Sequence, residues 1–198
     1  MSTIVASSSL DGRGLDIGRA LRQAARLFVK DLGPLIVAGL IACALSVLTL
    51  GILAGPLLAG LYGMVIHRVR DGRRPEVGDV FAGLDRFWSY LGAAFVLVLL
   101  VGLASITVVG GFALATIWLY VFPLMVDRGM SFGEALKASR EMVMRGGFWE
   151  HLALVVVLFV VASVANGALA IIAAPFIVVA VTAAYLLTDG HGAALERA

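Results

Sequence analysis

Residues 123–149, PLMVDRGMSFGEALKASREMVMRGGFW, contain the transition that organises this chain. An apolar run ends at Val126, and Asp127-Arg128-Gly129 marks its exit into water. Ser131 and Glu134 have the spacing of a capping box, in which a hydroxyl and a carboxylate satisfy the free N–H groups of a new helix. A second apolar run follows. The stretch therefore predicts an amphipathic helix between two membrane-embedded segments, and the same pattern occurs three times in the chain.

The composition excludes an ordinary soluble domain. Hydrophobic residues make up 61% of the chain, charged residues 14%, and the mean hydropathy is +1.02. Soluble domains are about 45–50% apolar and about 25% charged. The formal net charge is only +2 and no basic cluster is interleaved with aromatic residues, so we expect no nucleic-acid partner. Cys43 is the single cysteine, which rules out an intrachain disulfide.

Three long runs carry no charged residue: Leu32–Ile66, Phe87–Val126 and Leu152–Thr188. A helix as long as the first run would extend roughly 52 Å at 1.5 Å per residue, whereas the hydrocarbon core of a bilayer is about 30 Å thick. Each run therefore predicts two spans joined by a turn. The turns are expected at Gly51 to Pro56, at Gly110-Gly111 and at Asn166-Gly167. The predicted spans are roughly 34–50, 54–69, 89–107, 111–126, 151–166 and 169–187.

An amphipathic segment precedes each uncharged run. Asp16 to Lys30 alternates an apolar stripe with a basic face, which favours a helix lying in the membrane interface. A helix packed against protein is the alternative. Apolar residues recur at helical spacing again from Val77 to Trp88 and from Phe132 to Val143.

These segments align as an internal repeat. Superposing residues 16–21, 76–81 and 131–136 matches three glycines at intervals of 60 and 55 residues. Ser139 alone breaks the apolar stripe. We predict an all-α membrane protein whose six transmembrane helices form three units, each a surface helix followed by a transmembrane hairpin. A disordered tail is expected at 1–15, a single membrane domain at 16–190, with units 16–72, 76–129 and 131–190, and a C-terminal tail at 191–198.

Parallel repeats suggest a pseudo-threefold arrangement about an axis along the membrane normal, and whether the units close into a ring stays open. The basic residues predict the orientation. All fifteen Lys and Arg residues lie outside the uncharged runs, on segments that six spans place on one side. Positive charge is retained in the cytoplasm, so we expect a multi-pass protein of the bacterial cytoplasmic (inner) membrane with both termini cytoplasmic.

The residues give no catalytic constellation. No Asp, Glu, Lys, Arg or His lies in the interior of a predicted span, and no metal-ligand spacing occurs, so we expect no enzyme activity, cofactor or metal. The histidines His67, His151 and His191 fall at membrane boundaries and are interpreted as solvated or interfacial. Three glycines of the second span permit close helix packing: Gly55, Gly60 and Gly63.

One surface is a candidate for binding a partner. Four charged residues are spaced for pairs along the helix that follows Ser131: Glu134, Lys137, Arg140 and Glu141. A solvated helix face is the ordinary interpretation of such a set, and a partner-binding face is the sharper one.

The opening stretch also resembles a bacterial membrane family, the membrane domain found beside glycerophosphoryl diester phosphodiesterases together with its uncharacterised standalone relatives. The matching residues are Pro123-Leu124, Gly129-Met130-Ser131, the segment from Glu134 to Ser139, and Gly147-Phe148-Trp149. The chain departs from the family at Arg140, where an aromatic residue is usual. The metal-binding acids and histidines of the soluble phosphodiesterase domain have no counterpart here, so the resemblance implies a membrane fold and no phosphodiesterase activity.

Two functions remain from different classes. The first is a non-catalytic membrane protein that organises or regulates membrane lipids, another membrane protein or a cytoplasmic protein. The second is a transporter of small solutes or lipids that uses a cavity between the repeats. The missing intramembrane charges favour the first, and a continuous polar path through the bundle would favour the second.

Overall fold

A computed structural model describes residues 14–165 and 168–197, and helices are the only regular secondary structure within those ranges. The predicted all-α class is confirmed. The elements are α1 (Ile17–Lys30), α2 (Leu32–Leu48), α3 (Ala54–Arg70), a 3₁₀ helix (Val77–Arg86), α4 (Phe87–Ala104), α5 (Val108–Ile117), α6 (Val121–Asp127), α7 (Phe132–Arg145), α8 (Phe148–Val164), α9 (Ala168–Thr188) and α10 (Gly192–Arg197).

Three to five helices of the described chain are candidates for crossing a membrane. Three stretches are long and apolar enough by themselves: Val77–Ala104, Val108–Asp127 and Leu169–Thr188. Two further candidates are bent pairs, α1 with α2 at 92° and α7 with α8 at 107°. Helices α2, α3 and α8 have 17 residues each, which is about 26 Å of helix and slightly less than the thickness of a bilayer core.

Large apolar side chains are exposed over much of α2, α4, α5 and α8. Exposed apolar surface on this scale marks contact with a membrane or a partner, and it is compatible with a multi-pass membrane protein. Examples are Val47, Leu48, Val98, Leu103, Val109, Val160 and Val164.

The second helix of each predicted hairpin lies inside the bundle. Most of α3 is buried, as are Val121 to Met125 of α6 and Val178 to Leu186 of α9. Helix α3 contacts α2, α4, α6, α9 and the 3₁₀ helix. The amphipathic segments cover one end of this core, with α1 on α9, the 3₁₀ helix on α3 and α7 on α6. We call this the charged end, formed by those segments and the C-terminal ends of α3, α6 and α9.

Two of the predicted turns lie in the described residues, and one of them is wrong. Gly51 lies in the turn between α2 and α3 with a φ of 87°, as expected for glycine, whereas Gly55 and Pro56 belong to α3. The second turn lies at Ser105–Thr107, and Gly110-Gly111 belongs to α5 instead. A Cβ on Gly111 would lie 2.3 Å from Ser105 Oγ, so the glycine lets α5 fold back against the turn. The predicted turn at Asn166-Gly167 lies outside the described residues.

Parts of both predicted tails lie within the described residues. Residues 1–13 lie outside the described residues, but Leu15 is buried and its N–H donates to the Gly146 carbonyl at 2.8 Å. The C-terminal segment contains α10, whose Leu195 is buried. Leu15 and Leu195 are buried by packing against other segments at the charged end. The local sequence of a short polar segment does not predict such burial.

The second amphipathic segment is a 3₁₀ helix rather than an α-helix. Residues at i and i+3 eclipse in a 3₁₀ helix, which places Val80 and Gly83 on one side, against α3. A Cβ on Gly60 would lie 1.9 Å from the Val80 carbonyl oxygen, and one on Gly83 would lie 2.0 Å from that of Pro56. The two backbones therefore touch. Close packing through glycine is confirmed at Gly60, whereas Gly63 makes only ordinary contact.

We predict that Gly60→Ala lowers the free energy of unfolding by about 2 kcal/mol, because the new methyl group meets backbone that cannot move aside. Thermal unfolding of the purified protein in detergent measures the effect. The matched control is Gly63→Ala in the same helix, where the nearest side-chain atom, Val126 Cγ1, would be 3.6 Å from the new Cβ. Equal melting temperatures for the two variants would contradict the contact.

Candidate functional site at the charged end

The ends of three buried helices meet at the charged end. Arg70 is the last residue of α3, Asp127 is the last residue of α6, and Asp189 follows the end of α9. A glycine with positive φ comes one or two residues later in each case: Gly72, Gly129 and Gly190, at 67°, 62° and 83°. Glycine adopts this left-handed conformation without the cost that a Cβ imposes. The chain therefore leaves all three helices by a similar turn.

Four charged side chains connect these helix ends, and we call them the central ion-pair cluster: Arg70, Asp127, Arg128 and Asp189. Arg70 Nη2 donates to Asp127 Oδ2 at 2.6 Å and to Asp189 Oδ2 at 3.4 Å. Arg128 Nη2 donates to Asp189 Oδ1. His191 Nδ1 lies 3.1 Å from Asp189 Oδ2. Two cations and two carboxylates thus form a neutral cluster that joins α3, α6 and the residue after α9.

The carboxylates of this cluster are buried. The side chains of Asp127 and Asp189 are only 4% and 8% exposed, and Tyr185 Oη donates to Asp127 Oδ2 at 2.6 Å. Of the expected exit into water at Asp127-Arg128-Gly129, Arg128 and Gly129 are exposed, whereas the Asp127 carboxylate is buried. A buried carboxylate is stable when charged and hydrogen-bonding partners surround it, and here Arg70 and Tyr185 are supplied by two other helices.

A signal for this cluster was present in the sequence. The separation between Arg70 and Asp127 is 57 residues, and that between Arg128 and Asp189 is 61. Both are close to the repeat intervals of 60 and 55 residues. Paired charges thus occupy neighbouring positions in the predicted repeat.

His151 is buried, contrary to the expectation of a solvated or interfacial side chain. Its ring packs edge-on against Tyr120, with centroids 5.5 Å apart and an interplanar angle of 82°. Nδ1 lies 2.6 Å from the Gly147 carbonyl oxygen, and Nε2 lies 3.5 Å from Thr188 Oγ1. These contacts attach the start of α8 to α6 and α9. His67 and His191 are exposed, as predicted.

Ser139, the one polar residue in the predicted apolar stripe, hydrogen-bonds to the backbone where α5 and α6 are interrupted. Three residues separate α5 from α6, because Pro123 has no N–H to donate to Leu119 and its ring clashes with that carbonyl in a continuous helix. Ser139 Oγ donates to the Ile117 carbonyl at 2.8 Å and accepts from the Tyr120 N–H at 3.1 Å. The buried hydroxyl therefore gives hydrogen-bond partners to two backbone groups at the break, the Ile117 carbonyl and the Tyr120 N–H.

The candidate partner-binding surface lies on one exposed face of α7: Glu134, Lys137, Arg140 and Glu141. The opposite face is buried through Ala135, Ser139, Met142 and Val143. The predicted capping box is present, and Ser131 donates to Glu134 Oε2 from its hydroxyl at 2.6 Å and its N–H at 2.9 Å. These hydrogen bonds hold the pKa of the Glu134 carboxyl below its usual value. Partner binding by this face stays a prediction.

Within residues 14–165 and 168–197, no group of three or more His, Cys, Asp or Glu side chains is arranged to hold a metal ion. Comparison of the chain with protein-family models, with curated proteins and with solved structures gives no match. The candidate site therefore consists of the central ion-pair cluster, whose buried carboxylates are paired within the protein, and of the exposed charges on α7.

We predict that Asp127→Asn lowers the free energy of unfolding by about 2 kcal/mol, because it leaves Arg70 without its nearest counter-charge. The value is below the usual cost of breaking a fully buried pair, since Arg70 is 31% exposed and solvent screens part of the loss. A double-mutant cycle with Arg70→Gln should give a coupling energy of about 1 kcal/mol.

Asp71→Asn is the matched control, because Asp71 is an exposed carboxylate beside Arg70 at the same helix end. If both Asp→Asn changes alter thermal unfolding equally, the cluster does not hold the helix ends together.

Proposed function

We propose that this protein is a non-catalytic integral membrane protein that organises or regulates membrane lipids or partner proteins through its charged end. The proposal rests on one observation: some charged residues of the charged end are buried and paired, whereas others are exposed on α7. Asp127 and Asp189 are buried and paired between helices, so they serve the architecture. The charges of α7 face outward from a rigid, capped helix, which leaves them accessible to a partner.

The proposal includes six spans, with α1 and α7 as surface helices. The bends of 92° and 107° support it, because each separates an amphipathic helix from an apolar one. A helix that lies in the membrane interface needs a turn of about a right angle before the chain enters the bilayer. The lengths of α2, α3 and α8 put them at the short end of the range for transmembrane helices.

The proposal also includes three repeated units that close around a central axis. One rule describes the helix contacts: each amphipathic segment packs on the second hairpin helix of the preceding unit. The 3₁₀ helix packs on α3, α7 packs on α6, and α1 packs on α9. The first hairpin helices follow the same rule, since α4 contacts α3, α8 contacts α5, and α2 contacts α9. A closed ring requires the first proposed unit to contact the third. The contacts of α1 and α2 with α9 meet this requirement.

Dense packing between the inner helices favours this function over a transporter. Five of the largest side chains at the centre are fully buried: Leu57, Tyr120, Leu124, Met125 and Tyr185. A transporter needs a polar path between its repeats, whereas the polar groups around these residues are paired with one another. The resemblance to phosphodiesterase-associated membrane domains also stays a proposal, and it agrees with a non-catalytic role.

We predict that Leu50→Cys and Ile106→Cys, each in a Cys43→Ala background, react with a membrane-impermeant thiol reagent added to intact cells. Both side chains are highly exposed at hairpin tips, Leu50 at 94% and Ile106 at 80%, and six spans place both tips outside. Glu141→Cys on α7 is the control and should react only after the cells are opened. Labelling of one tip alone would overturn the six-span topology, and the reverse pattern would overturn the orientation.

The partner-binding role is tested by affinity purification from native membranes. We predict that Lys137→Glu with Arg140→Glu loses a protein that co-purifies with the parent, because two exposed charges change sign on the candidate face. The control is Arg22→Glu with Arg26→Glu, which makes the same change in charge on the exposed side of α1. Identical sets of co-purifying proteins from all three forms would contradict a partner-binding role for α7.

A further inference from the structure

A groove opens where α1 ends, α2 begins and α3 ends, and we call it the basic groove. Its volume is about 390 Å³, which lies within the usual range for small-molecule sites of about 300–1,000 Å³. The lining residues are Lys30, Asp31, Pro34, Arg68, Arg74 and Pro75.

The charge of the groove is positive. Its one carboxylate, Asp31, is committed to Arg68, whose Nε donates to Oδ2 at 2.5 Å. Both side chains are nearly buried, at 12% and 13% exposed, and Arg68 Nη1 also donates to the Gly72 carbonyl at 3.3 Å. The Asp31–Arg68 ion pair therefore adds no net charge to the lining of the groove. Lys30 and Arg74 add exposed positive charge, and the Arg74 side chain makes no hydrogen bond or ion pair with the part of the chain that the structure describes.

The start of α2 adds a second anion-binding feature. Asp31 is the N-cap residue of α2, yet its side chain makes no capping hydrogen bond, because the carboxylate is held by Arg68. The Asp31 side chain therefore leaves the first N–H groups of α2 without a capping hydrogen bond, and N–H groups at a helix start can bind phosphates and other anions. Gly33 in the first turn of α2 borders open space, since a Cβ added there would meet no atom within 4 Å.

The position of the groove favours a lipid over a free anion. It lies at the 92° bend between amphipathic α1 and apolar α2, which is the level of lipid headgroups in the proposed topology. An exposed apolar side of α2 begins next to it, formed by Leu32, Val37 and Leu40. A phosphate held in the groove would place the acyl chains of the same molecule along this side of α2.

We propose that the basic groove binds the phosphate of an anionic phospholipid headgroup. Basic pockets between transmembrane helices recognise such headgroups through charge and helix-end hydrogen bonds. The proposal goes beyond the role of α7, because a lipid held at α1, α2 and α3 requires no partner protein.

The test uses the full-length protein purified in a neutral detergent. Retention of phosphatidylglycerol is measured by native mass spectrometry and by the rise in melting temperature. Phosphatidylcholine with the same acyl chains and inorganic phosphate are the comparison ligands. The groove variant is Lys30→Gln with Arg74→Gln, and the matched control is Arg22→Gln with Arg26→Gln, which also removes two exposed positive charges but lies outside the groove.

We expect the parent and the control to retain phosphatidylglycerol, and the groove variant to bind it about 30-fold more weakly, since each basic residue near a membrane surface contributes about fivefold. Arg74→Gln alone should leave the melting temperature without lipid unchanged, because the Arg74 side chain is exposed and makes no hydrogen bond or ion pair with the described chain. If the double variant does not fold, Arg74→Gln alone should show the fivefold loss.

Three outcomes would overturn the proposal. One is equal retention of phosphatidylglycerol by the groove variant and the control. Another is equal retention of phosphatidylcholine and phosphatidylglycerol by the parent, which would show that no anion is recognised. The third is a rise in melting temperature with inorganic phosphate as large as with lipid, which would make the groove a site for free phosphate.

Discussion

Two buried carboxylates, Asp127 and Asp189, are the constraint on which the charged end depends. Each must be paired, because an isolated buried charge is very unfavourable. The pairing groups come from other helices: Arg70 from the end of α3, Arg128 from the end of α6 and Tyr185 from α9. The carboxylates are satisfied only when all three helix ends occupy their places together. The cluster therefore favours one register of the inner helices over alternatives that an apolar core would tolerate.

The same demand for pairing explains the polar residues deeper in the bundle. Water is scarce between apolar helices, so backbone groups released by a break must find protein partners. Pro123 prevents a continuous helix, and the Ser139 hydroxyl from α7 supplies one donor and one acceptor to the interrupted backbone. A serine on an otherwise apolar stripe thus supports the interrupted backbone between α5 and α6. It also fixes the position of α7, and with it the outward-facing charges.

The charged end combines two kinds of electrostatics. Inside, opposite charges neutralise one another and hold helices in place. Outside, the α7 face and the basic groove present charge to the surroundings, and each rests on a well-supported element. Helix α7 has a capping box and packs on α6, while the groove is built on the nearly buried pair of Asp31 and Arg68. Rigid support of this kind favours recognition, because little order has to be gained on binding.

The sequence by itself determined the features that depend on near neighbours in the chain. Helical periodicity, the capping box at Ser131 and the turn at Gly51 follow from residues a few positions apart. The exposed face of α7 also follows from such local spacing, so that part of the candidate site was predictable.

Only the tertiary structure decided which polar residues are buried. Asp127 is followed by an arginine and a glycine, a context typical of a solvated helix end, and its partners lie 57 and 58 residues away. Gly110-Gly111 has the composition of a turn but belongs to α5, and the turn lies at Ser105–Thr107 instead. The basic groove likewise joins residues from α1, α2, α3 and the following loop. Burial and pairing are set by the sum of contacts between distant segments, and that sum is not encoded in any local pattern.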